Sequence, residues 1–82
     1  MRTEASDRVF EQAAELFALL STPARLRIVC ELRKGEKNVG ELLDHIGISQ
    51  PNMSQHLGTL HRTGIVGRRR VGFHRSQVFQ RR

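Results

Sequence analysis

Residues 39–63 read VGELLDHIGISQPNMSQHLGTLHRT, and this stretch decides the fold. Val39, Leu42, Leu43 and Ile46 fall at i, i+3, i+4 and i+7, the spacing of one apolar helical face, and Gly47 ends the run. Only Gly47 and Ile48 precede Ser49, which is placed to cap a second helix over Gln50–Arg62. In that helix Met53, Leu57 and Leu60 point inward and Thr63-Gly64 closes the run. A short helix, a glycine turn and a helix opened by Ser-Gln-Pro-Asn form a helix-turn-helix pattern. The first helix of such a pair braces the second, whose N-terminal residues then face outward.

Toward the N-terminus, Val9, Phe10, Ala13, Ala14, Phe17 and Leu20 make a helical stripe over Ser6–Leu20, with Phe10 and Phe17 expected in the core. Residues 1–5 are expected to be flexible. Ser21-Thr22-Pro23 stops one helix and starts another, with Thr22 able to cap and Pro23 suited to the first helical position. That helix, Pro23–Lys34, carries Leu26, Ile28, Val29, Cys30 and Leu32 around most of its circumference and reads as the central buried one, stopped at Gly35. Toward the C-terminus the period changes. Ile65–Arg70 reads as a strand, Val71-Gly72-Phe73 as its turn and His74–Phe79 as the return. The expected architecture is mainly α with a small β-hairpin: four helices, then a two-stranded wing over 65–79, in one domain of residues 1–82.

Composition narrows the partner. Met1–Ile48 holds seven Lys/Arg and eight Asp/Glu, whereas Ser49–Arg82 holds seven arginines and no carboxylate, so the net charge of +6 sits at one end. Such asymmetry points to a polyanion. Ser49, Gln50, Asn52, Ser54, Gln55 and His56 offer donors and acceptors suited to base edges; Gln and Asn match adenine in particular. Alone, these residues also describe an ordinary capped, polar-faced surface helix. The hairpin behind them, with Arg68-Arg69-Arg70 and His74-Arg75 on its two legs, favours nucleic acid, since a wing can follow the phosphates or enter the minor groove. Strand alternation puts Arg68 and Arg70 on one side and Arg69 on the other.

The segments LFALLSTPARLRIVCEL, VGELLDHIGISQPNMSQHLGTLHRTGIV and GRRRVGFH resemble the ArsR/SmtB family of bacterial repressors over Leu16–Phe79, about four-fifths of the chain. The polar Met1–Asp7, without an apolar leader run, reads as cytoplasmic, and the resemblance implies a homodimeric winged-helix repressor that binds double-stranded DNA at a palindromic operator. It also implies release by a metal, thiol-reactive or redox effector. Carried over by position, Gln50–His56, Met53 included, is the groove-reading segment, and Arg62, Arg68, Arg69, Arg70, His74 and Arg75 complete the contact set. Two departures matter. Where metal-sensing members carry Cys-Val-Cys, this chain has Asn38-Val39-Gly40, so both thiolates are absent. Family members also continue into a C-terminal dimerisation helix, whereas this sequence stops at Arg82, so association would rely on the first helix.

Cys30 has two readings: a small core hydrophobe, as lone cysteines among aliphatics often are, or a redox or sulfide sensor. One branch of the family carries a reactive cysteine at a similar place, paired with another in the C-terminal helix. His56 and His61 lie five residues apart, a poor match to the i, i+4 spacing that brings imidazoles together on one helical face, and no metal or cofactor is expected. No nucleophile–base set, phosphate loop or carboxylate pair argues for an enzyme. No apolar run approaches the ~20 residues of a membrane span. The competing function is a winged-helix protein-interaction or RNA-binding module. With four Phe and no Tyr or Trp, the chain has little for base stacking, which favours duplex DNA.

Overall fold

The computed structural model describes residues 4–80. Four helices, α1 Glu4–Leu19, α2 Pro23–Lys34, α3 Val39–Ile46 and α4 Gln50–Thr63, precede a hairpin of β1 Val66–Val71 and β2 His74–Phe79. The architecture is the winged helix read from the sequence. Residues 1–3 of the segment expected to be flexible lie outside the described residues, and Glu4 and Ala5 begin α1.

Each helix start after α1 is set by a side chain that satisfies an orphan backbone donor. Thr22 Oγ1 accepts from Arg25 N at 3.2 Å, and Pro23 follows it. Asn38 Oδ1 accepts from Glu41 N at 2.8 Å while the Glu41 carboxylate accepts from Asn38 N at 2.9 Å, a reciprocal capping box. Ser49 Oγ accepts from Asn52 N at 3.2 Å. Between α3 and α4 the chain reverses at Gly47, held at φ 76° and ψ 33°, whose N–H donates to Leu43 O at 2.9 Å. An L side chain is strained in this left-handed conformation, so glycine permits the three-residue break between the helices.

The core gathers Ile28, Val29 and Leu32 of α2, Leu42 and Ile46 of α3, Met53, Leu57 and Leu60 of α4, and Val66 of β1. It is entirely aliphatic apart from the thioether. Two expectations are corrected here. Phe10 and Phe17, read as core residues, are 67% and 71% exposed, on a helix that adds only Leu19 to the packing. The reason is that α1 projects beyond the body formed by α2–α4 and the hairpin, so its stripe has no surface within the chain to cover it. Cys30 and Leu26 are likewise exposed: α2 buries one face rather than most of its circumference.

The hairpin pairs Val66 with Phe79, Arg68 with Gln77, Arg70 with Arg75 and Val71 with His74. Strand β1 starts one residue later than its β-branched onset suggested and includes Val71, leaving the two-residue turn Gly72-Phe73. Gly72 at φ 62° supplies the positive φ that tight hairpin turns require. A feature absent from the sequence reading stitches the hairpin to the helices. Lys37, in the α2–α3 link, forms an antiparallel bridge with Gln77, through Gln77 N to Lys37 O at 2.7 Å and Lys37 N to Gln77 O at 3.1 Å.

Gly47→Ala is expected to lower unfolding stability by about 1–2 kcal/mol, because alanine meets the left-handed penalty without altering the core. Urea denaturation checks this; an unchanged midpoint would remove the strain argument.

Candidate nucleic-acid interface

Ser54, near the start of α4, and Arg68 and Arg75 of the hairpin come together on one side of the molecule. Gln50, Asn52, Ser54 and Gln55 are exposed, because Met53, Leu57 and Leu60 hold the opposite face of α4 in the core. Across from them, the hairpin face that starts with buried Val66 and Gln77 continues outward through Arg68, Arg70 and Arg75. Ser54 and Gly58 of α4 and Arg68 and Arg75 of the hairpin line a common cleft with His61 and Gln77. Among the described residues, no carboxylate lines it.

Register adds an electrostatic argument. Arg70 and Arg75 are directly opposite in the antiparallel pair and therefore share a face. Like charges so placed repel. An anion set between them and Arg68 would relieve that repulsion, which suits phosphate.

Several residues from the sequence reading fall elsewhere. Met53 is fully buried in the core, so it supports α4 from behind and cannot reach a base. His56 is half-buried and turns toward α2, where Arg25 Nη1 donates to its Nδ1 at 3.4 Å. Arg25 Nε also donates to Leu19 O at 2.6 Å, so one guanidinium connects the end of α1 with α4. Ser49 remains exposed while its hydroxyl caps the helix. Arg62 lies ten residues beyond Asn52, about 15 Å along the helix axis, and its Nη2 donates to Thr59 Oγ1 at 3.3 Å. Arg69 occupies the other hairpin face, 3.9 Å from the Glu36 carboxylate. His74 shares that face near the turn and is exposed. At the tip, Phe73 is 98% exposed.

The sequence reading weighs His61 only as a metal ligand and passes over Gln77. His61 Nε2 donates to Gln77 Oε1 at 2.6 Å, from the last turn of α4 to β2. Burial holds this imidazole below its ordinary value of 6.5, against the pull of the Gln77 hydrogen bond, and the nearby Arg68 charge adds to the lowering. Glu31 on α2 is also lowered, by its hydrogen bonds to Lys34 at 3.1 Å and to His45 at 3.1 Å. Among the described residues, no group of three or more His, Cys, Asp or Glu lies together as a metal site would need. No described helix is long and apolar enough to cross a membrane.

Comparison with known proteins finds relatives of this fold. The family model described as "Bacterial regulatory protein, arsR family" matches residues 22–67, which run from the α2 cap into β1. The biofilm growth-associated repressor of Xylella fastidiosa is 47% identical over 70 residues, 85% of this chain and 61% of that protein. The HTH-type transcriptional repressor SmtB of Mycobacterium tuberculosis is 39% identical over 64 residues, 78% of this chain and 47% of that one. Among solved structures, the transcriptional repressor BigR from Xylella fastidiosa superposes with a TM-score of 0.90 at 42% identity, covering 94% of this chain and 76% of that one. Reduced HlyU from Vibrio cholerae gives a TM-score of 0.86 at 29% identity, covering 96% and 83%. The chain spans about three-fifths of the length of the first curated relatives it matches. With its helix-turn-helix, its arginine wing and these relatives, the chain belongs to the arsR family of bacterial regulatory proteins.

Proposed function

We propose that this chain binds double-stranded DNA by sequence and represses transcription from it, acting in the cytoplasm. The observation that carries the reading is the convergence of α4 and the hairpin. Ser54 of α4 and Arg68 and Arg75 of the wing line one cleft with no carboxylate among its described lining residues, and the exposed amides Gln50, Asn52 and Gln55 belong to the same helix as Ser54. In this reading Gln50, Asn52, Ser54 and Gln55 meet base edges in the major groove, and Arg68, Arg70 and Arg75 meet phosphates or the minor groove. The repressors named above support the regulatory role. One exposed aromatic at the hairpin, Phe73, is too little for the stacking platform that single-stranded RNA recognition uses.

The α1 stripe supports a second copy as partner. Val9, Phe10, Leu16 and Phe17 recur at the spacing of one helical face and all are exposed. Two such faces packed together would remove them from water and present two reading helices to a palindromic operator. Cys30, exposed on α2, suits release by a thiol-reactive or oxidising effector better than by a metal ion.

Gln55→Ala is expected to cost about 1–3 kcal/mol on a duplex that the native chain selects from a random-sequence pool, with little effect on random DNA. Equal losses on both would end the base-reading role. Arg70→Ala should weaken binding to every duplex and reduce the salt dependence of log K by about one unit; an unchanged slope would place Arg70 off the DNA. Phe17→Glu should convert a dimer to a monomer in sedimentation at micromolar concentration. A native chain already monomeric there would refute association through α1.

A further inference from the structure

Gln77 is the buried polar side chain of the described core, 4% exposed at the base of the wing. Three separate parts of the chain meet on it. Its backbone is hydrogen-bonded in both directions to Lys37 of the α2–α3 link, and its side-chain oxygen accepts from His61 at the end of α4. An amide oxygen only accepts, so the His61 proton sits on Nε2. His61 Nδ1 is then left buried with no partner. Among the described residues, this is the one side-chain hydrogen bond between α4 and the hairpin.

Covalent connection alone does not fix the angle between these elements. Strand β1 leaves α4 through Gly64 and Ile65, with Gly64 in the left-handed region at φ 82°. A two-residue link of this kind permits rotation of the hairpin about its base. The cleft lies directly over the His61–Gln77 bond, with Ser54 on one wall and Arg68 and Arg75 on the other. A small rotation at the base would therefore change the distance between the base-reading and phosphate-holding groups.

We propose that the His61–Gln77 hydrogen bond is a latch that sets the angle of the wing to α4, making His61 a positioning residue for simultaneous engagement of groove and backbone. The proposal deepens the DNA-binding reading and rests on it for its function. The latch itself is a property of the free chain. Acid opens it. Protonation at Nδ1 would place a charge in a buried position that offers no acceptor, facing Arg68 of β1 and Arg75 of β2, with no carboxylate among the cleft's lining residues to compensate. The sign follows from the lowered value. The opened form binds the proton more readily, so the latch is fully effective above the ordinary value of 6.5 and weakens as pH falls below it.

Two readouts on the full chain test this. In the free protein, the protection of the Lys37 and Gln77 amides against hydrogen exchange should fall in His61→Ala and be retained in His61→Gln, whose side-chain N–H can still reach Gln77. Between about pH 7.5 and about pH 5.5, that protection should also fall in the native chain more than in His61→Gln. Unchanged protection in His61→Ala would overturn the latch. On a duplex selected by the native chain from a random-sequence pool, His61→Ala and Gln77→Ala should each bind about tenfold more weakly, and the double variant no worse than either. Binding to unselected duplex should change much less, and His61→Gln should restore the selected complex. Additive losses, or a folded His61→Ala that binds the selected duplex normally, would refute the positioning role. If no duplex is selected, the DNA-binding reading fails while the exchange experiment still decides the latch. If His61→Ala does not fold, the pH comparison of the native chain with His61→Gln decides it.

Discussion

Met53, Leu57 and Leu60 recur on one side of α4 and are withdrawn from water into a cluster with Ile28 of α2, Leu42 and Ile46 of α3 and Val66 of β1. A domain this small removes only about 60% of its unfolded surface from solvent, so few side chains are available for the purpose. That withdrawal fixes the rotation of α4 about its own axis. Given the 3.6-residue period, burying Met53 and Leu57 obliges Asn52, Ser54 and Gln55 to face outward. The interface is thus a consequence of the core: the same packing that stabilises the fold aims the polar groups, and Val66 carries the constraint into the hairpin.

Local signals in the sequence were sufficient wherever the determining interaction was itself local. Thr22 and Pro23 mark the start of α2, Gly47 marks the break between α3 and α4, and the strand alternation that separates Arg69 from Arg68 and Arg70 follows from the pleat. What escaped was tertiary. Periodicity shows that α1 has an apolar side but not that this side lies beyond the reach of the core, so it misplaces Phe10 and Phe17 in the interior. Cys30 sits among aliphatic neighbours in sequence yet on the outer face of α2. His56 belongs to the reading segment by position, whereas Arg25, 31 residues earlier, draws it toward α2. The bridge between Lys37 and Gln77 joins segments forty residues apart, and neither has a local pattern that announces it.

The charge of the second half acquires structure in the fold. Arg69 is neutralised in part by Glu36, while Arg68, Arg70 and Arg75 share a face and, among the described residues, have no carboxylate paired with them. Repulsion between cross-strand arginines costs stability in the free chain and is offset by the hairpin's backbone ladder and by its attachment at Lys37. In the proposed DNA-binding reading, a polyanion seated on this face relieves the same repulsion. The amide groups on α4 lie outside that balance, which allows specificity to vary without changing the charge.

The position of α1 has a consequence for the chain's dynamics. A helix of 16 residues isolated in water is marginal, because nucleation is costly and backbone hydrogen bonds alone barely offset it. Most of α1 gains no tertiary support from α2–α4, since its aromatic side chains contact solvent rather than the core. It therefore belongs to the least protected cooperative unit of the chain, able to fray while the remainder stays folded. Its helical content is then a variable rather than a constant. Whatever covers Phe10 and Phe17 also completes the helix, so docking on that face and folding of that segment form a single equilibrium. Through Leu19 and Arg25, that equilibrium reaches α4.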